Sequence, residues 1–196
     1  SSRREYTKLN PLVVLLGTGT HELISTSSGN SNILGITRNN ITLIGTGINT
    51  TTILGRIGIV GQQNITFKQF TITNTKSFRG SGIDMQNNAE VEMVDVACNR
   101  CANRGILLQN SKIVAKRCVF EANAGTGVNI SNLSIGTFTD CKFHHSGSSG
   151  IYASASTIHL HGEATAIHSN GGNGIDARDS AKVVIHLPSH HNTSYN

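Results

Sequence analysis

The chain has 196 residues and a formal net charge of +5, with 14% charged residues, 5% aromatic residues, no Trp and two Pro. That length suits one domain with a continuous core, and the abundance of Gly, Asn, Ser and Thr indicates turn-rich β structure rather than a helical bundle. The small positive excess comes without a Lys/Arg stripe interleaved with aromatics, which argues against a nucleic-acid partner, and no run approaches the roughly 18 apolar residues that membrane insertion by a helix requires.

Residues 1–12, carrying Arg3, Arg4 and Lys8, read as an N-terminal extension, and a single β domain is expected over 13–196. Gly17-Thr18-Gly19-Thr20-His21-Glu22-Leu23 reads as a first loop. Ile41-Thr42-Leu43-Ile44-Gly45 then leads through Thr51-Thr52-Ile53-Leu54-Gly55 to Asn64-Ile65-Thr66-Phe67, with apolar residues alternating as on half-buried strands.

From here a repeat governs the chain. Gly-Ile or Gly-Val pairs begin at Gly82, Gly105, Gly127, Gly150 and Gly174, in steps of 23, 22, 23 and 24 residues. A period of this size is one coil of a β-solenoid. An apolar set precedes each pair at offsets 0, 2, 5 and 7. It runs Ile65, Phe67, Phe70, Ile72; Val91, Met93, Val96, Cys98; and Ile113, Ala115, Cys118, Phe120. It continues as Gly136, Phe138, Cys141, Phe143 and as Leu160, Gly162, Thr165, Ile167. Offsets differing by two mark strands with one face inward, and the step from 2 to 5 inserts a corner. Each coil should thus carry three short strands, A, B and C. Ile106, Val128, Ile151 and Ile175 should share one inward column, and Val96, Cys118, Cys141 and Thr165 another. Turn Asn residues beside the repeated Gly suit αL geometry and the capping of neighbouring backbone groups.

This repeat, over roughly residues 13–190, resembles that of the pectin-lyase-like superfamily. The resemblance implies an all-β, right-handed, single-stranded parallel β-helix. Similar coils serve polysaccharide lyases, hydrolases and epimerases, viral fibres or capsid parts, adhesins, and carbohydrate-binding repeats. The catalytic constellations of three such enzyme groups are absent. There is no Asp-Phe-x-Phe-Gly stretch of pectin esterases, no Asn-Thr-Asp, Asp-Asp, Gly-His-Gly and Arg-Ile-Lys set of polygalacturonase-like hydrolases, and no Asp-Pro-His-Asp of alginate epimerases.

The outward residues of strand C form a polar column, nearly uncharged until its end, with one aromatic. Tyr152 can stack on a sugar face while Asn129, Asp176 and Arg178 bond its hydroxyls; an ordinary solvated face accounts for the same residues. Strand A presents the mixed charges Lys68, Glu92, Lys116, Thr137, His161 and Glu163, with Asp95, Arg117 and Asp140 at the corner. His144, His168 and His191 fall on one column and read as a stacked ladder rather than a metal site, since parallel rings do not converge on one ion. Cys98 and Cys101 form a lone Cys-x-x-Cys, and Cys118 and Cys141 read as buried, unlinked thiols. No catalytic residue is assigned and no cofactor or metal is expected. The reading that follows is a non-catalytic structural or recognition module of a virion, fibre or extracellular surface, soluble and contacting protein partners or a polysaccharide. The alternative is a polysaccharide lyase, hydrolase or epimerase. Because a last coil exposes core and strand edges, further chain or a neighbouring molecule is expected to cover it.

Overall fold

The computed structural model describes residues 5–24, 32–75 and 80–186, and the backbone of 194–195. Every regular element among the described residues is a β-strand, and every pairing is parallel. No helix among them is long and apolar enough to cross a membrane.

Strand C forms a seven-stranded sheet whose strands stack coil upon coil from Ile33–Ile36 to Ile175–Arg178. Strands A and B, expected as separate sheets, join into one 14-stranded sheet. They do so because Ile65–Thr73 and Glu90–Asn99 each run through the A-to-B corner without a break. The bend is made by one left-handed residue per coil, at Gln69, Asp95, Arg117 and Asp140, and by Gly162 in the coil that follows. Turning two successive residues outward there produces the step of three in the sequence pattern. Gly19–Glu22, expected in a loop, is instead the first strand B, paired with Thr51–Leu54.

Both expected inward columns form. Ile106, Val128, Ile151 and Ile175 are aligned on successive rungs, and Val96, Cys118, Cys141 and Thr165 are all buried. The core between the sheets is aliphatic with an aromatic knot in which Phe120 and Phe143 stack at 5.0 Å and Phe138 packs edge-on against both. A Cβ on Gly136 would strike the Ile130 and Phe138 side chains, so the missing side chain there makes room for the knot.

One register expectation fails. Gly136 and Phe138 pair with Ile158 and Leu160, so Ile158, not Leu160, opens the next coil. Two extra residues sit in its corner, and Gly162, expected inward, turns at φ +86° beside Glu163, which lies off strand A. Thr165 and Ile167 then regain their inward positions because the added residues leave the flanking strands in phase.

The turns work differently from expectation. The repeated Gly82, Gly105, Gly127 and Gly150 are not left-handed; they are required by close approach, since a Cβ on Gly127 would lie 2.6 Å from the Gly150 carbonyl oxygen. The turn Asn residues do act as caps. Buried Asn123 accepts a hydrogen bond from the Cys101 amide at 3.0 Å and donates to the Cys98 carbonyl at 3.1 Å. Asn170 repeats this two coils later with the Ser146 amide and the Phe143 carbonyl, both at 3.1 Å.

Asn123→Ala should therefore strand one buried donor and one buried acceptor, at about 1–3 kcal/mol each before relaxation. The expected loss of about 2–4 kcal/mol is measurable by urea unfolding. The four cysteines are buried and unlinked, and burial pushes the Cys101 thiol up to about 12 and that of Cys98 well above its ordinary value. Because all four sulfurs are buried, folded protein at pH 8 should leave a thiol reagent unreacted, whereas urea-unfolded protein should titrate all four.

Candidate functional site

The outward residues of strand C fall into two columns. One runs Gly35, Gly58, Asp84, Leu107, Asn129, Tyr152, Asp176. The other ends Gln109, Ser131, Ser154, Arg178. Asn129, Tyr152 and Asp176 thus occupy consecutive rungs, and Arg178 lies one outward position further along its strand. Arg178 donates twice to Asp176, from Nε at 3.0 Å and from Nη2 at 2.9 Å. Its guanidinium carbon also lies 5.7 Å from the Tyr152 ring centroid. Four residues chosen from the sequence therefore share one face, with Arg178 reaching both Asp176 and Tyr152. Asp176 is held by Arg178, and Asp179 at the edge accepts from Ser154 Oγ at 2.6 Å, so neither stands free as a general acid or base.

The same sheet has a second feature at its N-terminal end. Gly35 and Gly58 carry no side chain, which opens a groove of about 420 Å³ edged by Ile33, Arg56, Asp84 and Gln86. Arg56 Nη1 bonds Asp84 Oδ2 at 2.7 Å, and the buried Asp84 Oδ1 has no protein partner. The sequence signal was present in two glycines at an outward position on successive coils. It was not distinguishable from turn glycine without the register.

The strand A face carries another groove, of about 360 Å³, lined by Lys8, Thr42, Thr66, Glu90, Glu92 and Lys112. Its charges are mixed, as expected of a solvated face. At the corner Arg117 makes a two-pronged ion pair with Asp95, 2.6 Å on each arm, and that bond holds the Asp95 carboxyl below its ordinary range.

The histidines separate into two groups. Along strand B, His144 and His168 stack in parallel at 5.0 Å and 4°, as expected of a ladder, and His145 stands edge-on to both. His191 lies outside the described residues; the rung opposite His168 is occupied by the backbone of Tyr195, not by the residue the constant period assigned. Along strand A, His159, His161 and His186 gather on the outward face. This group escaped the sequence reading because starting the coil at Leu160 left His159 off the pattern and matched His161 with Glu163.

A family model described as "Right handed beta helix region" matches residues 19–193. The chain belongs to that right-handed β-helix family. No curated protein matches it. Among solved structures, the β-helix resembles pectate lyase Pel9A with a TM-score of 0.67 at 13% identity, covering 83% of this chain and 46% of that one. It also resembles ORF18 of Geobacillus virus E2, with a TM-score of 0.61 at 14% identity over 83% of this chain and 42% of the other. Pectin methylesterase PemA from Erwinia chrysanthemi gives 0.58 at 14%, over 91% and 60%. The β-helix thus spans less than two thirds of each of these relatives, and at such identities the likeness is one of fold.

One electrostatic consequence belongs to this β-helix irrespective of its ligand. Burial pushes the His144 imidazole below its ordinary value of 6.5, reinforced by His168, His145 and Lys142 against the opposing Glu121. A histidine depressed on folding favours the native state when neutral. Its contribution is complete above pH 6.5 and is lost as pH falls from there through the lower folded value. The thermal midpoint should drop between pH 7 and pH 5, and His144→Gln should flatten that slope.

Proposed function

We propose that this β-helix is a non-catalytic recognition module that holds a polysaccharide along the outward face of strand C. The observation that carries the reading is the Tyr152, Asp176 and Arg178 cluster in register with Asn129. Rungs about 4.8 Å apart are commensurate with successive sugars of a chain lying along the helix axis. A sugar stacks its apolar face on the half-exposed Tyr152, as aromatic surfaces permit. Arg178, preoriented by Asp176, offers its remaining donors to hydroxyl or carboxylate oxygens. Asn129 supplies both a donor and an acceptor to the next residue.

The absence of a free carboxylate in this cluster supports recognition over turnover. In keeping with this role, residues 13–196 form the recognition domain of a virion, fibre or extracellular surface protein. The second reading, a polysaccharide lyase, hydrolase or epimerase, is favoured by the fold shared with pectate lyase Pel9A.

A glycan array probed with the chain should give binding that Tyr152→Ala and Arg178→Ala each weaken at least about tenfold, equivalent to about 1.4 kcal/mol. Assays for new reducing ends and for unsaturated products on the bound glycans should be blank. Turnover abolished by Asp176→Ala or Asp140→Ala, with the fold intact, would establish the enzyme reading instead.

A further inference from the structure

His159 and His161 are alternate residues of the strand Thr157–His161, so the pleat turns both toward solvent. His186 ends the neighbouring strand Lys182–His186 and is the direct rung partner of His161. One ligating nitrogen from each ring lies within 4.8 Å of the other two. His159 Nδ1 and His186 Nε2 are 3.1 Å apart, and the His161 and His186 rings stack at 4.0 Å. Among the described residues, no other three potential metal ligands gather in this way. Ordinary packing gives no reason for it, since the flanking residues Thr137, Thr139 and Val184 make no demand for imidazole.

We propose that His159, His161 and His186 form a binding site for a transition-metal dication of the zinc class. Three nitrogens at about 2.0–2.1 Å from a tetrahedral ion lie about 3.3 Å from one another. The His159 and His186 pair already has that separation. The third nitrogen closes on it by rotation about χ2, a soft torsion for histidine. The strands need not move. The His161 carbonyl is fixed at the corner by the Asp140 amide at 3.0 Å and by the Thr165 hydroxyl, and His159 is held by the paired strands on either side.

The donor set selects the ion. It is all imidazole, which suits zinc, copper and nickel, and it lacks the oxygen cage that calcium or magnesium requires. Three protein ligands on an open face leave a fourth position for water or an exchangeable group. Because the ligands come from two adjacent coils, the ion staples one coil to the next and stabilises the folded chain in proportion to its saturation. The site lies on strand A, whereas the glycan reading rests on strand C, so the two stand or fall separately.

The test uses untagged chain 1–196 stripped with a chelator, titrated with zinc by calorimetry and with cobalt by visible absorption. The expected result is one ion per chain, a four-coordinate cobalt spectrum, and a thermal midpoint that rises with metal concentration. His161→Ala and His186→Gln should each weaken binding by at least about tenfold, since loss of a ligand costs no less than loss of the groups that orient one. His144→Ala should leave binding unchanged, and circular dichroism should be the same for all variants. No uptake at millimolar zinc, uptake undiminished in a His159→Ala/His161→Ala double variant, or uptake lost equally in His144→Ala would each overturn the proposal.

Discussion

The hydrogen-bond ladder between successive coils is the constraint on which everything else in this molecule rests. A parallel ladder fixes each residue about 4.8 Å from its counterpart on the next rung, so a position has the same surroundings in every coil. A position that faces inward must be apolar coil after coil, as with Ile106, Val128 and Ile151. A position where backbones nearly touch must be glycine coil after coil, as at Gly105 and Gly127. Polar groups that the ladder cannot satisfy, in the B-to-C turn, need side chains that bridge coils. Asn123 and Asn170 do this on alternate coils, each reaching back to an amide and a carbonyl of the preceding coil.

The same constraint arranges the surface. Outward side chains are brought into line whether or not they are related in sequence, so a face accumulates function by placing suitable residues in one column. Tyr152 and Asp176 are 24 positions apart in sequence and adjacent in space. Arg178 then joins them because alternation puts it on the same side as Asp176. At this end of the column Asp176 pairs with Arg178 and Asp179 accepts from Ser154.

Departures from the period have consequences as large as the period itself. The two residues added around Gly162 leave the strands before and after them in phase but lengthen the corner. A coil count that absorbs the insertion in the wrong place shifts strand A by two. A shift of two keeps inward residues inward, so burial patterns give no warning; only the partners along the outward face change. That is why the core was unaffected while the histidines of strand A were assigned to the wrong neighbours. A spacing of 27 rather than 24 residues has a similar effect along strand B, bringing Tyr195 rather than His191 opposite His168.

The sequence by itself determined the solenoid, its three strands per coil, the inward columns and the shared face of Asn129, Tyr152, Asp176 and Arg178. Each of these follows from alternation and a nearly constant period, which are local properties of the chain. Tertiary structure alone decided where the corner insertion falls, that strands A and B fuse into one sheet, and that the repeated glycines serve close approach rather than left-handed turns. It also decided that His186 meets His159 and His161, and that two outward glycines open a groove beside Arg56 and Asp84. These depend on which rung pairs with which and on distances between coils. Apolar alternation cannot distinguish registers that differ by two residues; the hydrogen-bonded stack does.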